Sequence, residues 1–175
     1  ILEHNLIKQY RPPFNILMRD DKSYPYIFLS DGDAWPRLSF HRGAKRKKGT
    51  YFGPFPNASA VRESLSFLQK TFLVRQCEDS FFKNRSRPCL QYQIERCRAP
   101  CVGLVSESDY SHDVNLTQMY LEGNEKKLLK HLETDMDSKS EALEFESAAK
   151  IRDQIAAIRT VQSEQVIEKG RGHTD

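Results

Sequence analysis

Cys77, Cys89, Cys97 and Cys101 are the residues of this chain best suited to chemistry. All four cysteines of the 175-residue sequence fall between positions 77 and 101, spaced C-x11-C-x7-C-x3-C. Cysteines used only for core packing would scatter, so the clustering points to one tetrahedral set of thiolates holding zinc or an iron–sulfur cluster. Paired disulfides would need an oxidising compartment, and the start Ile1-Leu2-Glu3-His4-Asn5 carries no signal peptide. Four unrelated buried thiols are the plainer alternative. Zinc folds commonly show C-x2-C knuckles; this sequence has none, and the wide irregular spacing suits a bulkier cluster better, with zinc left open. Four ligands from one chain leave no open coordination position, so such a site is structural or redox-responsive and not hydrolytic. Lys83, Arg85, Arg87, Arg96 and Arg98 lie close in sequence and would offset its negative charge.

A second group could bind a polyanion. Arg37, Arg42, Lys45, Arg46, Lys47 and Lys48 fall within 12 residues and are followed by Tyr51, Phe52 and Phe55. Cations bind phosphates irrespective of base sequence, and aromatic faces stack on exposed bases. A solvated loop beside ordinary core aromatics would look similar locally, but the imbalance extends further. Residues 37–101 hold 14 Lys/Arg against 4 Asp/Glu, residues 1–36 hold 4 against 5, and residues 102–175 hold 9 against 15. Such asymmetry suggests units with different partners, and Arg85 and Arg87 join the candidate nucleic-acid contacts of the basic unit.

The elements that must position these groups follow from periodicity. Residues 1–9 read as the end of a helix stopped by Arg11-Pro12-Pro13, as if the chain were a piece of something longer. Phe14–Met18, Tyr24–Ser30 and Arg37–His41 read as strands, and 45–49 as a charged loop. Tyr51–Pro56 looks too rich in Gly and Pro for regular structure. Asn57 should cap a helix reaching Phe72, with Val61, Leu65, Leu68 and Phe72 on one stripe. From Ser106 the pattern is helical. Helices over 125–142 and 145–166, with Leu128, Leu132 and Met136 facing Ala148, Ile151, Ile155 and Ile158, should form an antiparallel pair turning near Glu144-Phe145. So short a pair either caps the rest of the chain or gains stability from a partner. The expected class is α+β: a small mixed α/β basic region with a four-cysteine metal site, then an all-α antiparallel helical hairpin. No apolar run approaches the roughly 20 residues of a membrane span.

Three stretches add a resemblance. Leu2–Lys8 with Pro13–Pro25 is similar to the end of a GIY-YIG nuclease domain. Gly49–Phe55 and Asn84–Tyr92 are similar to the segment after it, and Leu143–Ile155 resembles the UVR motif, in the order found in the UvrC family of bacterial excinuclease incision subunits. The resemblance implies nucleotide excision repair in the cytoplasm, with DNA and UvrB as partners. It implies that Glu3 binds the divalent ion, Mg or Mn, of 3′-side incision, that Asn15 lines that site, and that the cysteines hold an iron–sulfur cluster. Phe145 would be the apolar contact with the matching UvrB hairpin, with Glu146, Arg152 and Asp153 around it. The segments expected are 1–18 (nuclease-domain remnant), 19–105 (basic region with the cysteines), 106–123 (connecting helix), 124–162 (hairpin) and 163–175 (tail). The family's GIY and YIG segments would precede Ile1, so this stretch is expected not to incise DNA alone. The competing reading is a non-catalytic, zinc-containing DNA-binding adaptor that shares the hairpin.

Overall fold

A computed structural model describes residues 24–171 apart from Asp33, together with Leu6 and Gln9, and side chains as far as Ser163. Glu3, Asn15 and the strand expected over 14–18 lie outside the described residues.

Three short strands form an antiparallel sheet in the order β2-β1-β3, from β1 (Pro25–Ser30), β2 (Leu38–Arg42) and β3 (Gly49–Phe52). Register divides the side chains between two faces, because directly paired residues point the same way. Ile27 pairs with Phe40 and Phe52, and Leu29 with Leu38, giving the core face. Tyr26 pairs with His41, and Phe28 with Tyr51, giving the opposite face. The third strand corrects the expectation of irregular structure at Tyr51 and Phe52. Gly49 makes it possible: its φ is +147°, and a Cβ there would meet the Leu29 carbonyl oxygen and come within 2.7 Å of the Phe28 ring. Only a glycine lets the backbone cross that ring and pair with β1.

Helix α1 (Ala58–Phe72) covers the core face. Asn57 Oδ1 accepts a hydrogen bond from the Ala60 N–H at 2.8 Å, and Val61, Leu65, Leu68 and Phe72 are all buried, as their spacing predicts. After it come two short helices, α2 (Asp79–Lys83) and α3 (Leu90–Gln93), and a 3-10 turn at Pro100–Val102. Helix α4 (Glu107–Leu121) starts at Ser106, whose Oγ accepts from the Asp109 N–H, and buries Tyr110, Val114 and Leu116. Helices α5 (Glu125–Glu141) and α6 (Phe145–Arg171) form the hairpin, closed through Leu128, Leu132, Ile155 and Ile158. The core is continuous from Ile27 through Leu68 and Tyr110 to Leu132 and Ile158. The hairpin therefore also rests on its own chain, and Gln154 Nε2 donates to the Thr71 carbonyl at 2.6 Å.

Candidate metal centre and nucleic-acid interface

The approach to the first cysteine is fixed by a residue that the sequence did not single out. Arg75 is 3% exposed. Its Nε donates to the Trp35 carbonyl at 2.8 Å, Nη1 to the Cys77 carbonyl at 3.2 Å and Nη2 to Asp79 Oδ1 at 2.9 Å. Its guanidinium lies 4.3 Å from the centre of the Phe82 ring. The Arg75 N–H donates to Tyr110 Oη at 3.1 Å, and that hydroxyl donates to the Pro36 carbonyl at 2.7 Å. A buried guanidinium persists only when its donors find partners. Here those partners come from the sheet side, helix α2 and the Cys77 backbone, so the cation fixes where the cysteine segment leaves the core. The hydrogen bond from Arg75 holds the Asp79 carboxyl below the usual range. A lone arginine between Val74 and the cysteine run was the available signal.

The four cysteines are free thiols, all half-buried. Cys89 precedes α3, and its carbonyl accepts from the Tyr92 N–H at 3.0 Å. Cys97 lies between two residues in the left-handed region, Glu95 (φ 54°) and Ala99 (φ 53°), and Cys101 is in the 3-10 turn. Burial pushes the Cys97 thiol up to about 11; a backbone hydrogen bond at Ala99 opposes this, while Cys77, Cys89 and Cys101 each raise it further. Burial also raises Cys101, with Cys77 and Cys89 adding to it and Arg85 opposing it. The other three thiols are thus near enough for their charges to act on Cys97, and Cys77 and Cys89 near enough to act on Cys101. Four half-buried thiols whose anionic forms repel are a donor set that a metal or cluster would stabilise. Of the cations expected to offset them, Arg98 is turned away: its Nε lies 3.0 Å from Asp113 Oδ2.

The basic loop hangs from the other face of the sheet. Lys45, Arg46, Lys47 and Lys48 are exposed between β2 and β3, and Arg42 is exposed at the end of β2. Lys45 Nζ lies 4.0 Å from the centre of the Tyr26 ring and 5.6 Å from that of Tyr51. The Tyr51 hydroxyl accepts from the Lys47 N–H at 3.0 Å and donates to the Lys47 carbonyl at 3.1 Å. Phe28 and His41 flank Tyr51 at 4.7 and 4.8 Å between ring centres. Cations and aromatic faces are therefore held on one surface. Of the aromatics expected there, only Tyr51 is on it, because Phe52 is buried in the core and Phe55 packs against it. Tyr26 and His41 were missed, although their alternation with Ile27 and Phe40 is legible; Phe28 is buried behind Tyr51. Arg37 precedes β2 at the end away from the loop, and its charge acts on Asp79. Arg85 and Arg87 are exposed in the cysteine segment.

At the hairpin tip Leu143 (φ 61°) lies in the turn, where Lys139 Nζ meets Glu144 Oε2 at 2.8 Å. Leu143 and Phe145 are 72% and 63% exposed, a neighbouring pair of large apolar side chains left in water. Glu146 is exposed beside them. Arg152 and Asp153 are also exposed and pair with each other at 2.9 Å, roughly 10 Å farther along α6. Among the described residues no helix is long and apolar enough to cross a membrane.

Comparison with known proteins places the chain in a family. The family described as "UvrC/Cho excinuclease, middle domain" matches residues 24–120, and the "UvrB/uvrC motif" matches residues 126–161. Over all 175 residues the chain is 62% identical to UvrABC system protein C of Ectopseudomonas mendocina, 61% to that of Pseudomonas fluorescens and 59% to that of Pseudomonas aeruginosa. The whole of this chain is covered in each case, and it spans 29% of each relative's length. No solved structure matches it. The chain belongs to the UvrC/Cho excinuclease family, of which it carries the middle domain and the adjoining UvrB/UvrC motif.

Proposed function

We propose that this chain is the DNA-holding and UvrB-docking part of an incision subunit in nucleotide excision repair. The observation that carries the reading is the cation–aromatic surface, with Lys45 over Tyr26 and Tyr51 at the root of a loop holding three further cations. Phosphates would be gripped by Lys45–Lys48 and Arg42, and an unstacked base would find the Tyr26 and Tyr51 rings. Arg85 and Arg87 would extend the grip. The exposed Leu143 and Phe145 are the apolar anchor for UvrB. Incision itself belongs to groups such as Glu3 and Asn15 and to the rest of the longer relatives.

Cys77, Cys89, Cys97 and Cys101 would hold an iron–sulfur cluster. A zinc tetrahedron would set its sulfurs about 3.8 Å apart, from Zn–S bonds of about 2.3 Å. The wide, irregular spacing C-x11-C-x7-C-x3-C, without a C-x2-C knuckle, suits the larger group. A bound cluster supplies a four-point cross-link with a redox response. The protein's own share is to hold Cys77 through Arg75 and Cys97 through the turns at Glu95 and Ala99.

The test is Lys45→Glu, Arg46→Glu, Lys47→Glu and Lys48→Glu combined, with duplex and single-strand affinities measured across salt. Affinity should fall for every sequence alike, and the slope of log K against log salt should flatten by about 3 to 4. Unchanged affinity at low salt would remove the proposed surface.

A further inference from the structure

We propose a second metal site, separate from the cysteines, in which His112, His131 and Asp135 bind one late first-row divalent ion such as zinc, cobalt(II) or nickel(II). Helices α4 and α5 are joined by the short Glu122–Asn124 turn and lie side by side. His112 projects from α4, while His131 and Asp135 stand four residues apart on one face of α5. One ligand atom from each residue lies within 4.8 Å of the other two, which no other trio of His, Cys, Asp or Glu achieves among the described residues. His112 Nε2 is 3.1 Å from Asp135 Oδ2, and the two imidazole rings are 5.5 Å apart between centres.

Two imidazole nitrogens and one carboxylate oxygen suit zinc, cobalt or nickel far better than magnesium or calcium, which prefer all-oxygen shells. Ligands bonded at about 2.0–2.2 Å sit somewhat more than 3 Å apart, so modest side-chain rotation would bring these three into place. Both histidines are exposed and Asp135 is half-buried, which leaves room for water in the remaining positions. Without an ion, the His112–Asp135 pair is an ordinary surface contact that adds little to stability. With one, it becomes a clip. Helix α4 is rooted in the common core by Tyr110 and Val114, and α5 is the first leg of the hairpin. The ion would therefore stiffen the joint between the sheet-bearing part and the hairpin.

Cobalt(II) titration of the complete chain with its thiol centre loaded distinguishes the two sites by colour. Thiolate ligation gives intense near-ultraviolet charge transfer, whereas nitrogen and oxygen ligands give only weak visible bands. One equivalent of cobalt should bind with the visible bands alone, and zinc should raise the melting temperature where magnesium does not. His131→Ala and Asp135→Asn should each weaken cobalt binding at least tenfold. His131 is exposed and Asp135→Asn keeps the size of a half-buried side chain, so the metal-free melting curves and far-ultraviolet dichroism should match the parent chain. Absence of the additional equivalent, charge-transfer bands on that equivalent, or undiminished binding in both variants would overturn the site.

Discussion

The cysteine segment, residues 77–105, and the hairpin of α5 and α6 stay ordered for different physical reasons. The hairpin faces Leu128 and Leu132 against Ile155 and Ile158, all nearly or fully buried. Its legs are also joined outside the core, by Arg159 to Glu133 and Gln162 to Glu125, each at 2.8 Å. Helices α2 and α3 of the cysteine segment bury no residue at all, and Phe81, Leu90, Tyr92 and Ile94 are exposed. Hydrophobic burial contributes roughly 25 cal/mol per Å² and organises the hairpin. It has little to act on between Glu78 and Arg98. Arg75 holds one end of that segment and Ala99 with Pro100 the other. Apolar periodicity builds one region; under the centre proposed above, ligation by the thiols would hold the other.

That contrast breaks most visibly when a ligand is removed. Cys97→Ser should abolish bound iron and loosen residues 78–98, because metal-binding energy is partly folding energy. Amide exchange there should accelerate by roughly a thousandfold, about 4 kcal/mol of local stability. Protection in α5 and α6 should persist. Unaltered exchange in the cysteine segment would mean that packing, not ligation, holds it. The converse variant is Leu132→Ala, which empties a fully buried position between the hairpin legs. It should cost about 2–5 kcal/mol in denaturant unfolding while leaving metal content per folded chain unchanged. A loss below about 1 kcal/mol would place the hairpin's stability elsewhere.

The same contrast explains what could be read from the sequence. The stripe of α1 and both hairpin stripes were legible because each residue's partner is set by helical period alone. The clustering of the cysteines in one segment was legible from residue type and position alone. Strand β3 was not, because its pairing depends on Gly49 passing the Phe28 ring, a contact with a residue 21 positions away. The aromatic surface was half legible: register alone decides that Tyr51 faces outward and Phe52 inward. Arg75 was hard to read because its burial depends on Trp35 and Tyr110, which lie 40 and 35 positions away. The trio on α4 and α5 depends in the same way on two helices lying side by side.

A smaller effect sharpens the distinction at the hairpin tip, where exposure serves contact and not stability. Phe145→Ala should weaken binding of a UvrB hairpin by about 1–3 kcal/mol if the ring is a central anchor. Its unfolding free energy should move by no more than about 0.5 kcal/mol, because the side chain is already largely in water. Calorimetric titration and denaturant unfolding of the same variant separate the two. A full-strength complex would shift the contact toward Leu143 or beyond the tip.

The smallest expected effect tests the joint between the regions, where Arg98 of the cysteine segment meets Asp113 of α4. Burial raises the Asp113 carboxyl from 3.8 to about 7, with Arg98 opposing the shift and Asp109 adding to it. The ion pair does not satisfy the buried oxygen: Arg98 Nε approaches Oδ2 at 3.0 Å, yet that atom has no hydrogen bond. Between about pH 4 and 7 the folded chain therefore binds more protons at this residue than the unfolded chain, whose carboxyl is already ionised. The contribution of Asp113 is greatest at the acidic end and is lost as pH rises toward 7. Asp113→Asn keeps the shape and removes the charge, so it should stabilise the protein by about 1 kcal/mol at pH 8. Near pH 5 the gain should be smaller, because only part of the loss between the two carboxyl values has yet occurred. Thermal unfolding at both values measures the difference. A variant less stable at pH 8 than at pH 5, relative to the parent, would show that Arg98 holds Asp113 ionised and that charge, not burial, governs the joint.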